Sequence, residues 1–156
     1  MIIAFCGHSN FIKDYKYEKR LLSFLESYIG NKNACIYLGG IGGFDEFALE
    51  CCQKYKTKHP NTSLFLITPY LTEEYQKNHL NYLKDRYDGI IYPEIENKPK
   101  RFAIVYRNRW MVEQADCIVS YISHNFGGAY DMYKYALRKN KEVFNIYLCK
   151  ADFGDC

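Results

Sequence analysis

Short apolar runs alternate along this chain with segments whose apolar residues recur at helical spacing. The runs predict strands at 2–6, 34–38, 63–67, 89–92, 116–121 and 143–148. They are nearly continuous, as expected for strands of a parallel sheet that is covered on both faces. Tyr17, Leu21 and Leu25 indicate a helix after the first strand. The pattern predicts one doubly wound α/β domain over residues 1–156, with a mainly parallel sheet of about six strands.

Four more helices are predicted between the later strands. The second is indicated by five apolar residues at helical spacing: Phe44, Phe47, Ala48, Cys51 and Tyr55. A third would begin at Thr72, whose hydroxyl can cap it. Its apolar face would comprise Leu80, Leu83 and Tyr87. A fourth would start near Pro99 and end at about Gln114. The fifth would be lined by Ala129, Tyr133, Ala136 and Leu137.

Two glycine turns each join a predicted strand to a predicted helix. The first spans residues 39–43 and the second contains Gly127 and Gly128. Such turns let backbone N–H groups approach an anion, with the positive end of the helix dipole behind them. Glycine in an ordinary strand-to-helix turn, where it only supplies an unusual φ, is the alternative. Both turns, with Gly7, His8 and Ser9 after the first strand, would lie where parallel sheets bind ligands.

Arg107 is the cation that we expect to meet a ligand. Ala103, Trp110 and Met111 place it beside the apolar face of its helix, where a buried guanidinium needs an anion. A phosphate would serve, and an internal pair with a carboxylate such as Asp116 is the alternative. Asn108 is a weaker candidate. Arg109, four residues before Glu113, favours an exposed ion pair.

Two carboxylates follow the first glycine turn. Asp45 could accept hydrogen bonds from a ribose hydroxyl, or it could favour the helix dipole. Glu46 could act as a base, with the dipole again as the alternative. Asp45 and Glu46 are the catalytic candidates only if the protein is an enzyme. The candidate ligand-binding residues are Gly7, His8, Ser9, Gly39, Gly40, Gly42, Gly43, Asp45, Arg107, Asn108, Gly127 and Gly128.

Composition narrows the class of protein. The 21 basic and 18 acidic residues give a net charge of +3, which argues against a strong nucleic-acid footprint and makes a nucleic-acid partner unlikely in this interpretation. The seven cysteines include no C-x-x-C pair, so neither a zinc site nor a disulfide framework is indicated. No cofactor or metal is expected. No apolar run approaches membrane-spanning length, and we expect a cytoplasmic protein without a membrane partner.

These motifs resemble those of a known superfamily. Residues 39–48, GGIGGFDEFA, resemble the SGxAxGIDxxAH turn of the DNA-processing protein A (DprA) family. Residues 107–111, 115–119, 127–128 and Ala136 are similar to that family's RNR–strand–SGS–helix run. They also resemble the RK…M…D…PGGxGTxxE core of the lonely-guy (LOG) phosphoribohydrolases. Both families belong to the SLOG superfamily of Rossmann-like domains, whose small stand-alone YpsA-like branch is the most similar.

The resemblance implies a Rossmann-like nucleotide-binding domain and a possible homodimer. Departures from the motifs bear on catalysis. Leu49 stands where DprA proteins have histidine, and residues 127–134 lack the threonine and the catalytic glutamate of the LOG motif.

Three functions remain open. The leading hypothesis is a non-catalytic protein that senses, carries or sequesters a nucleotide or a nucleotide-derived molecule. The alternative is a hydrolase of the N-glycosidic bond in a nucleoside monophosphate or a ribosyl compound. A single-stranded DNA-binding module ranks last.

Overall fold

A six-stranded, fully parallel sheet organises the computed structural model, which describes residues 1–148. The strands are β1 (Ile2–Gly7), β2 (Ala34–Leu38), β3 (Thr62–Ile67), β4 (Gly89–Ile91), β5 (Cys117–Tyr121) and β6 (Glu142–Asn145). Their order is β4-β3-β2-β1-β5-β6, and each neighbouring pair is parallel. The predicted α/β class, with a mainly parallel sheet of about six strands, is confirmed.

Helices cover both faces of the sheet. The four long helices are α1 (Tyr15–Tyr28), α2 (Gly43–Lys58), α3 (Ala103–Gln114) and α4 (Gly128–Arg138). Helices α1 and α2 pack on one face through residues such as Leu21, Leu25 and Phe44. Helices α3 and α4 pack on the other through Met111 and Met132. Alternate residues of the strands therefore pack into two separate apolar layers, one on each face of the sheet, as a doubly wound domain requires.

The chain changes direction across the sheet between β1 and β5. Strands β1 to β4 are added outward on one side, and the chain then returns through α3 to place β5 beside β1. In open parallel sheets this reversal leaves a crevice beyond the carboxyl ends of the two strands. The loops that follow β1, β2 and β5 meet there, which positions the site.

The predicted third helix is interrupted. The structure has Glu73–Tyr75 as α-helix, Gln76–Leu80 as π-helix, Asn81–Leu83 as α-helix and Lys84–Arg86 as 3₁₀-helix. Thr72 caps its start as expected, accepting from the Tyr75 N–H. The wider π-turn shifts the helical phase, and Tyr87 lies beyond the helix in extended backbone. Leu80, Leu83 and Tyr87 nevertheless pack against one core cluster, as expected, and Tyr87 reaches it from outside the helix.

Smaller differences concern helix starts and strand ends. The segment after Pro99 opens as a 3₁₀ turn at Lys100–Phe102 before α3 begins. Strand β6 ends at Asn145 rather than at residue 148 because the Asn145 Oδ1 accepts from the N–H groups of Ile122 and Tyr147. On α4, Leu137 is exposed and the fully covered positions are Met132 and Ala136.

None of the helices within residues 1–148 is long and apolar enough to cross a membrane.

Candidate functional site

A cavity of about 480 Å³ opens at the carboxyl edge of the sheet, beyond the ends of β1 and β5. Its walls come from the loops after β1, β2 and β5 and from the facing turns of α3 and α4. Most of the candidate ligand-binding residues line it: Gly7, His8, Ser9, Gly39, Asp45, Arg107, Asn108, Gly127 and Gly128. The structure therefore brings together residues that lie far apart in the sequence.

Arg107 forms part of the wall from α3 and is buried. Its Nη1 donates to the carbonyl oxygens of Gly39 and Ile67, at 2.9 Å and 2.6 Å. Its Nε donates to the Asn108 Oδ1 at 2.8 Å. The carbonyls are those at the carboxyl ends of β2 and β3, so Arg107 ties α3 to the sheet edge. Burial lowers its pKa, while the nearby Asp45 opposes this change.

Asp116 is not the internal partner of Arg107. The Asp116 Oδ2 accepts from the Ile2 N–H at 2.8 Å, at the opposite end of β1. The Arg107 Nη1 donates to backbone carbonyls and not to the Asp116 carboxylate that the sequence suggested as an alternative. Carbonyl oxygens satisfy a guanidinium's donors without neutralising its charge. Arg107 therefore keeps its own positive charge at the cavity wall, with the Asp45 carboxylate close enough to interact with it.

Asp45 is the one carboxylate among the described residues that lines the cavity. It lies in the first turn of α2, is 8% exposed, and accepts from the Ile41 N–H at 2.9 Å. Burial raises its pKa to about 6, although the Ile41 hydrogen bond and the Arg107 charge both act to lower it. An ideal Cβ on Gly39 would lie 3.0 Å from the Asp45 Oδ2 and 3.1 Å from the Arg107 guanidinium carbon. Glycine at 39 thus leaves the space that these two side chains occupy.

The second glycine turn presents the free start of α4 to the same cavity. Gly127 has a φ of +92° and precedes the helix without a side-chain cap. The first N–H groups of a helix have no partner within it, and the Asp131 N–H is the one that returns to the Gly127 carbonyl. An added Cβ on Gly128 would meet nothing within 4 Å. This turn has the open amides that an anion needs.

The first glycine turn is closed from residue 42 onwards. The Gly43 N–H donates to the Ser9 carbonyl at 2.8 Å, and an added Cβ on Gly42 would lie 2.6 Å from the Ser9 side chain. Gly40, Gly42 and Gly43 do not line the cavity. The loop after β1 occupies the position where we expected a phosphate. Packing against this loop is the physical reason for glycine at 42 and 43, and neither these two residues nor Gly40 lies at the cavity surface.

Glu46 points away from the cavity. Its two carboxylate oxygens accept from Arg86, at 2.6 Å and 3.0 Å. The Arg86 hydrogen bond lowers the Glu46 pKa. A carboxylate engaged in this way is a poor general base, so the structure separates the two catalytic candidates and leaves Asp45 alone at the cavity.

The loop after β1 contributes backbone and one histidine. Gly7 leaves no room for a side chain, because an ideal Cβ would lie 2.2 Å from the Phe44 ring. His8 is 5% exposed, and its Nε2 has no hydrogen-bond partner among the described residues. Burial lowers the His8 pKa, with His124 as the next cause. Ser9 lines the cavity, and its carbonyl is used by Gly43.

Sequence reasoning missed several apolar and aromatic residues of the cavity, among them Ile41, Ile104, His124 and Phe126. Ile41, Ile104 and Phe126 are all more than a third exposed. No periodic pattern marks these residues, since they lie in loops or at a helix start. The available signal was sequence proximity to a glycine turn for Ile41, His124 and Phe126, and to Arg107 for Ile104.

The described residues contain no group of three or more His, Cys, Asp or Glu side chains placed to hold a metal ion. Fold and site together define a Rossmann-like α/β domain whose switch-point crevice has a free helix start, a buried arginine and one carboxylate.

Comparisons with known proteins support this class. No family model and no curated protein sequence matches the chain. Among solved structures, DNA processing protein A from Helicobacter pylori, described for its single-stranded DNA binding mode, superposes with a TM-score of 0.63 at 19% identity. DNA processing protein A (DprA) from Streptococcus pneumoniae superposes with a TM-score of 0.66 at 15% identity. The structural-genomics target TM1055 gives 0.57 at 12% identity.

These likenesses extend over most of this chain but not over all of the neighbours. They cover 93%, 96% and 91% of this chain, and 64%, 51% and 71% of the three neighbours in the same order. The chain thus spans about half to two thirds of the DNA processing proteins. At such low identity the likeness shows the shared Rossmann-like fold.

Proposed function

We propose that this chain binds a phosphorylated nucleoside at the switch-point cavity, as a SLOG-type domain similar to the small stand-alone YpsA-like branch. One observation carries the proposal: the uncapped start of α4 and the buried Arg107 face the same cavity. Helix starts attract phosphate through free amides and the dipole. Arg107 adds a positive charge that its backbone carbonyl partners do not neutralise, and the Asp45 carboxylate lies within electrostatic reach of it.

Two residues near Arg107 suit the sugar. Asp45 can accept hydrogen bonds from ribose hydroxyls, as carboxylates do in dinucleotide-binding domains. Asn108 lies beside Arg107, accepts from its Nε and keeps its amide nitrogen for a ligand. The cavity volume of about 480 Å³ falls within the range of small-molecule sites. A nucleoside monophosphate therefore fits in both size and chemistry.

Binding without turnover agrees better with the site than hydrolysis does. Glycosidases of the common type use two carboxylates, and Glu46, the second candidate, is paired with Arg86 outside the cavity. The hydrolase alternative then rests on Asp45 alone. We infer a sensor, carrier or sequestering role for the proposed nucleotide.

Calorimetric titration of the purified chain tests the proposal. The panel comprises the four nucleoside 5′-monophosphates, ADP-ribose, NAD and a cyclic dinucleotide, with adenosine as the phosphate-free control. We expect saturable binding of at least one phosphorylated member, no binding of adenosine, and recovery of the ligand unchanged after overnight incubation. Absence of binding across the panel would overturn the proposal. Release of free base would show that the chain is a hydrolase and not a non-catalytic binding protein.

A second candidate function, single-stranded nucleic-acid binding, has its own structural support. Tyrosines and cations alternate across the exposed side of α3 and α4, with cation-to-ring distances between 5.0 and 5.7 Å. We call these residues the tyrosine–cation stripe: Lys98, Tyr106, Arg109, Tyr135, Arg138 and Lys139. Aromatic faces beside cations are what sequence-tolerant binding of single strands uses.

Arg109 belongs to this stripe and not to the expected ion pair. Its guanidinium lies over the Tyr106 and Tyr135 rings, while Glu113 accepts from the Tyr135 hydroxyl at 2.6 Å. The net charge of +3 was a weak argument against a nucleic-acid partner, because the local arrangement of cations matters more for binding than the total charge. A structural neighbour is also described as binding single-stranded DNA.

Fluorescence anisotropy with a labelled oligothymidylate separates the two candidates. If the stripe binds DNA, affinity falls steeply as salt rises, and Arg109→Ala weakens it more than Lys19→Ala on α1. A response that is flat with salt, or equal for the two variants, would remove this candidate. The homodimer that the resemblance implies stays a prediction.

A further inference from the structure

Three aromatic rings stack in series beside the cavity. The His8 and His124 rings are nearly parallel, with centroids 3.5 Å apart and an interplanar angle of 11°. The Phe126 ring follows, 4.1 Å from His124 at 35°. We call these three residues the aromatic ladder. It begins at the end of β1 and runs outward through the loop between β5 and α4.

Exposure rises along the ladder. His8 is 5% exposed and Phe126 is 67% exposed. The inner rings therefore fix the outer one, while much of the Phe126 side chain remains open to solvent at the cavity. An isolated exposed apolar residue is ordinary. Phe126 differs because it lines the cavity, rests on another ring and immediately precedes the free start of α4.

The position of Phe126 beside the proposed phosphate subsite indicates which part of a ligand its exposed ring would contact. Phe126 directly precedes Gly127 and Gly128, whose turn we propose to hold the phosphate. A phosphorylated nucleoside carries a planar aromatic base joined to its phosphate through the ribose. A planar base is the part of this ligand that gains most from stacking on an aromatic face.

We propose that Phe126 is the base-stacking residue of the site, so that the ligand requires an aromatic nucleobase in addition to its phosphate. This inference rests on the proposed function. Stacking tolerates every base because each has a π face. The Phe126 contact therefore selects for nucleotides against sugar phosphates, and discrimination between bases must come from other groups.

The test compares a nucleotide with the same molecule lacking its base. The parent chain, Phe126→Leu and Phe102→Leu are each titrated with AMP and with ribose 5-phosphate. Leucine retains apolar bulk and removes the π face. Phe102 is the matched control, because it is also exposed, at 42%, lies in the turn before α3 and does not line the cavity. Thermal melts confirm that the variants are folded, as expected for exposed positions.

We expect the parent to bind AMP at least tenfold more tightly than ribose 5-phosphate. Phe126→Leu should lose roughly tenfold or more in AMP affinity, the scale of one base–aromatic stack, and keep its affinity for ribose 5-phosphate. Phe102→Leu should match the parent. Equal binding of the two ligands by the parent, or equal losses for both in Phe126→Leu, would overturn the stacking inference and leave the phosphate site standing. Absence of binding of either ligand by the parent would contradict the proposed function itself.

Discussion

Asp45 and Arg107 show how single residues combine structural and functional demands. Arg107 is buried against the ends of β2 and β3, so its replacement would disturb the sheet edge as well as any ligand. Asp45 is buried with its pKa raised to about 6, which means that its charge at neutral pH costs the folded state free energy. A costly buried charge facing a cavity is typical of a functional group.

Replacing Asp45 should therefore stabilise the protein. Between the ordinary aspartate pKa of 3.8 and the folded value of about 6, the folded chain holds a proton that the unfolded chain has released. Stability from this group is thus greatest at low pH and is lost as pH rises through about 6. We expect Asp45→Asn to raise the free energy of unfolding by about 1–3 kcal/mol at pH 8 and to make little difference at pH 4.

Urea unfolding of the parent and the variant at both pH values measures this difference. The exposed Asp131 supplies the control, because Asp131→Asn should leave the free energy of unfolding nearly unchanged. A gain for Asp45→Asn that is the same at pH 4 and pH 8 would show that the raised pKa is not its cause. The same variant should bind AMP more weakly than the parent, since it replaces the proposed acceptor for the ribose.

The burial of Arg107 was predictable from the sequence, but its partners were not. Helical spacing placed it beside an apolar face, and that placement is correct because it depends on the local period alone. Its acceptors, the carbonyls of Gly39 and Ile67, belong to strands whose ends meet only after the sheet has formed. Strand order is not encoded in local spacing, so the nearer carboxylate of Asp116 was an equally reasonable candidate.

At the scale of elements, the two glycine turns differ although their sequences look alike. The first turn is held by the loop after β1, through the Gly43 N–H and the Ser9 carbonyl. The second has no such cover, and an added Cβ on Gly128 meets nothing within 4 Å. Each turn was visible as a pattern of glycines after an apolar run. Whether another loop packs against the turn depends on the tertiary structure, which a short sequence segment does not reveal.

Valine substitutions at Gly43 and Gly128 should therefore have different effects on stability. A Cβ at Gly43 would lie 2.8 Å and 2.9 Å from the carbonyl oxygens of Ser9 and Phe11, and backbone cannot move aside cheaply. We expect Gly43→Val to cost about 1–3 kcal/mol of stability and Gly128→Val to cost well under about 1 kcal/mol. Differential scanning calorimetry of the two variants measures the contrast. Equal melting temperatures would mean that the first turn is not packed as described.

At the scale of the whole molecule, the site depends on the switch point, the place between β1 and β5 where the order of the strands reverses. Alternating apolar runs and helical patterns were sufficient for the parallel α/β class, because each signal is local. Neither the interruption of the third helix at Gln76–Leu80 nor the early end of β6 at Asn145 is visible in the periodicity of the sequence. The cavity joins loops from both halves of the chain, so a bound ligand should link β1, β2 and β5.

A ligand at this junction should stabilise the whole domain. Binding to the folded chain alone adds about 2.7 kcal/mol of stability at a ligand concentration roughly one hundred times Kd. We expect the melting temperature to rise steadily with added AMP and to stay constant with adenosine. A rise of equal size with adenosine would show that the phosphate is not what the site recognises.

The free start of α4 is the central claim, and Gly128→Val tests it most directly. The added Cβ would meet no other residue within 4 Å, so we expect the fold and the ligand site to be affected separately. AMP is titrated into the parent, into Gly128→Val and into Ser23→Val, an exposed control on α1. The account predicts an unchanged melting temperature for Gly128→Val with at least a tenfold loss of AMP affinity, and parental affinity for Ser23→Val. Undiminished AMP binding by a folded Gly128→Val would contradict a phosphate at this helix start.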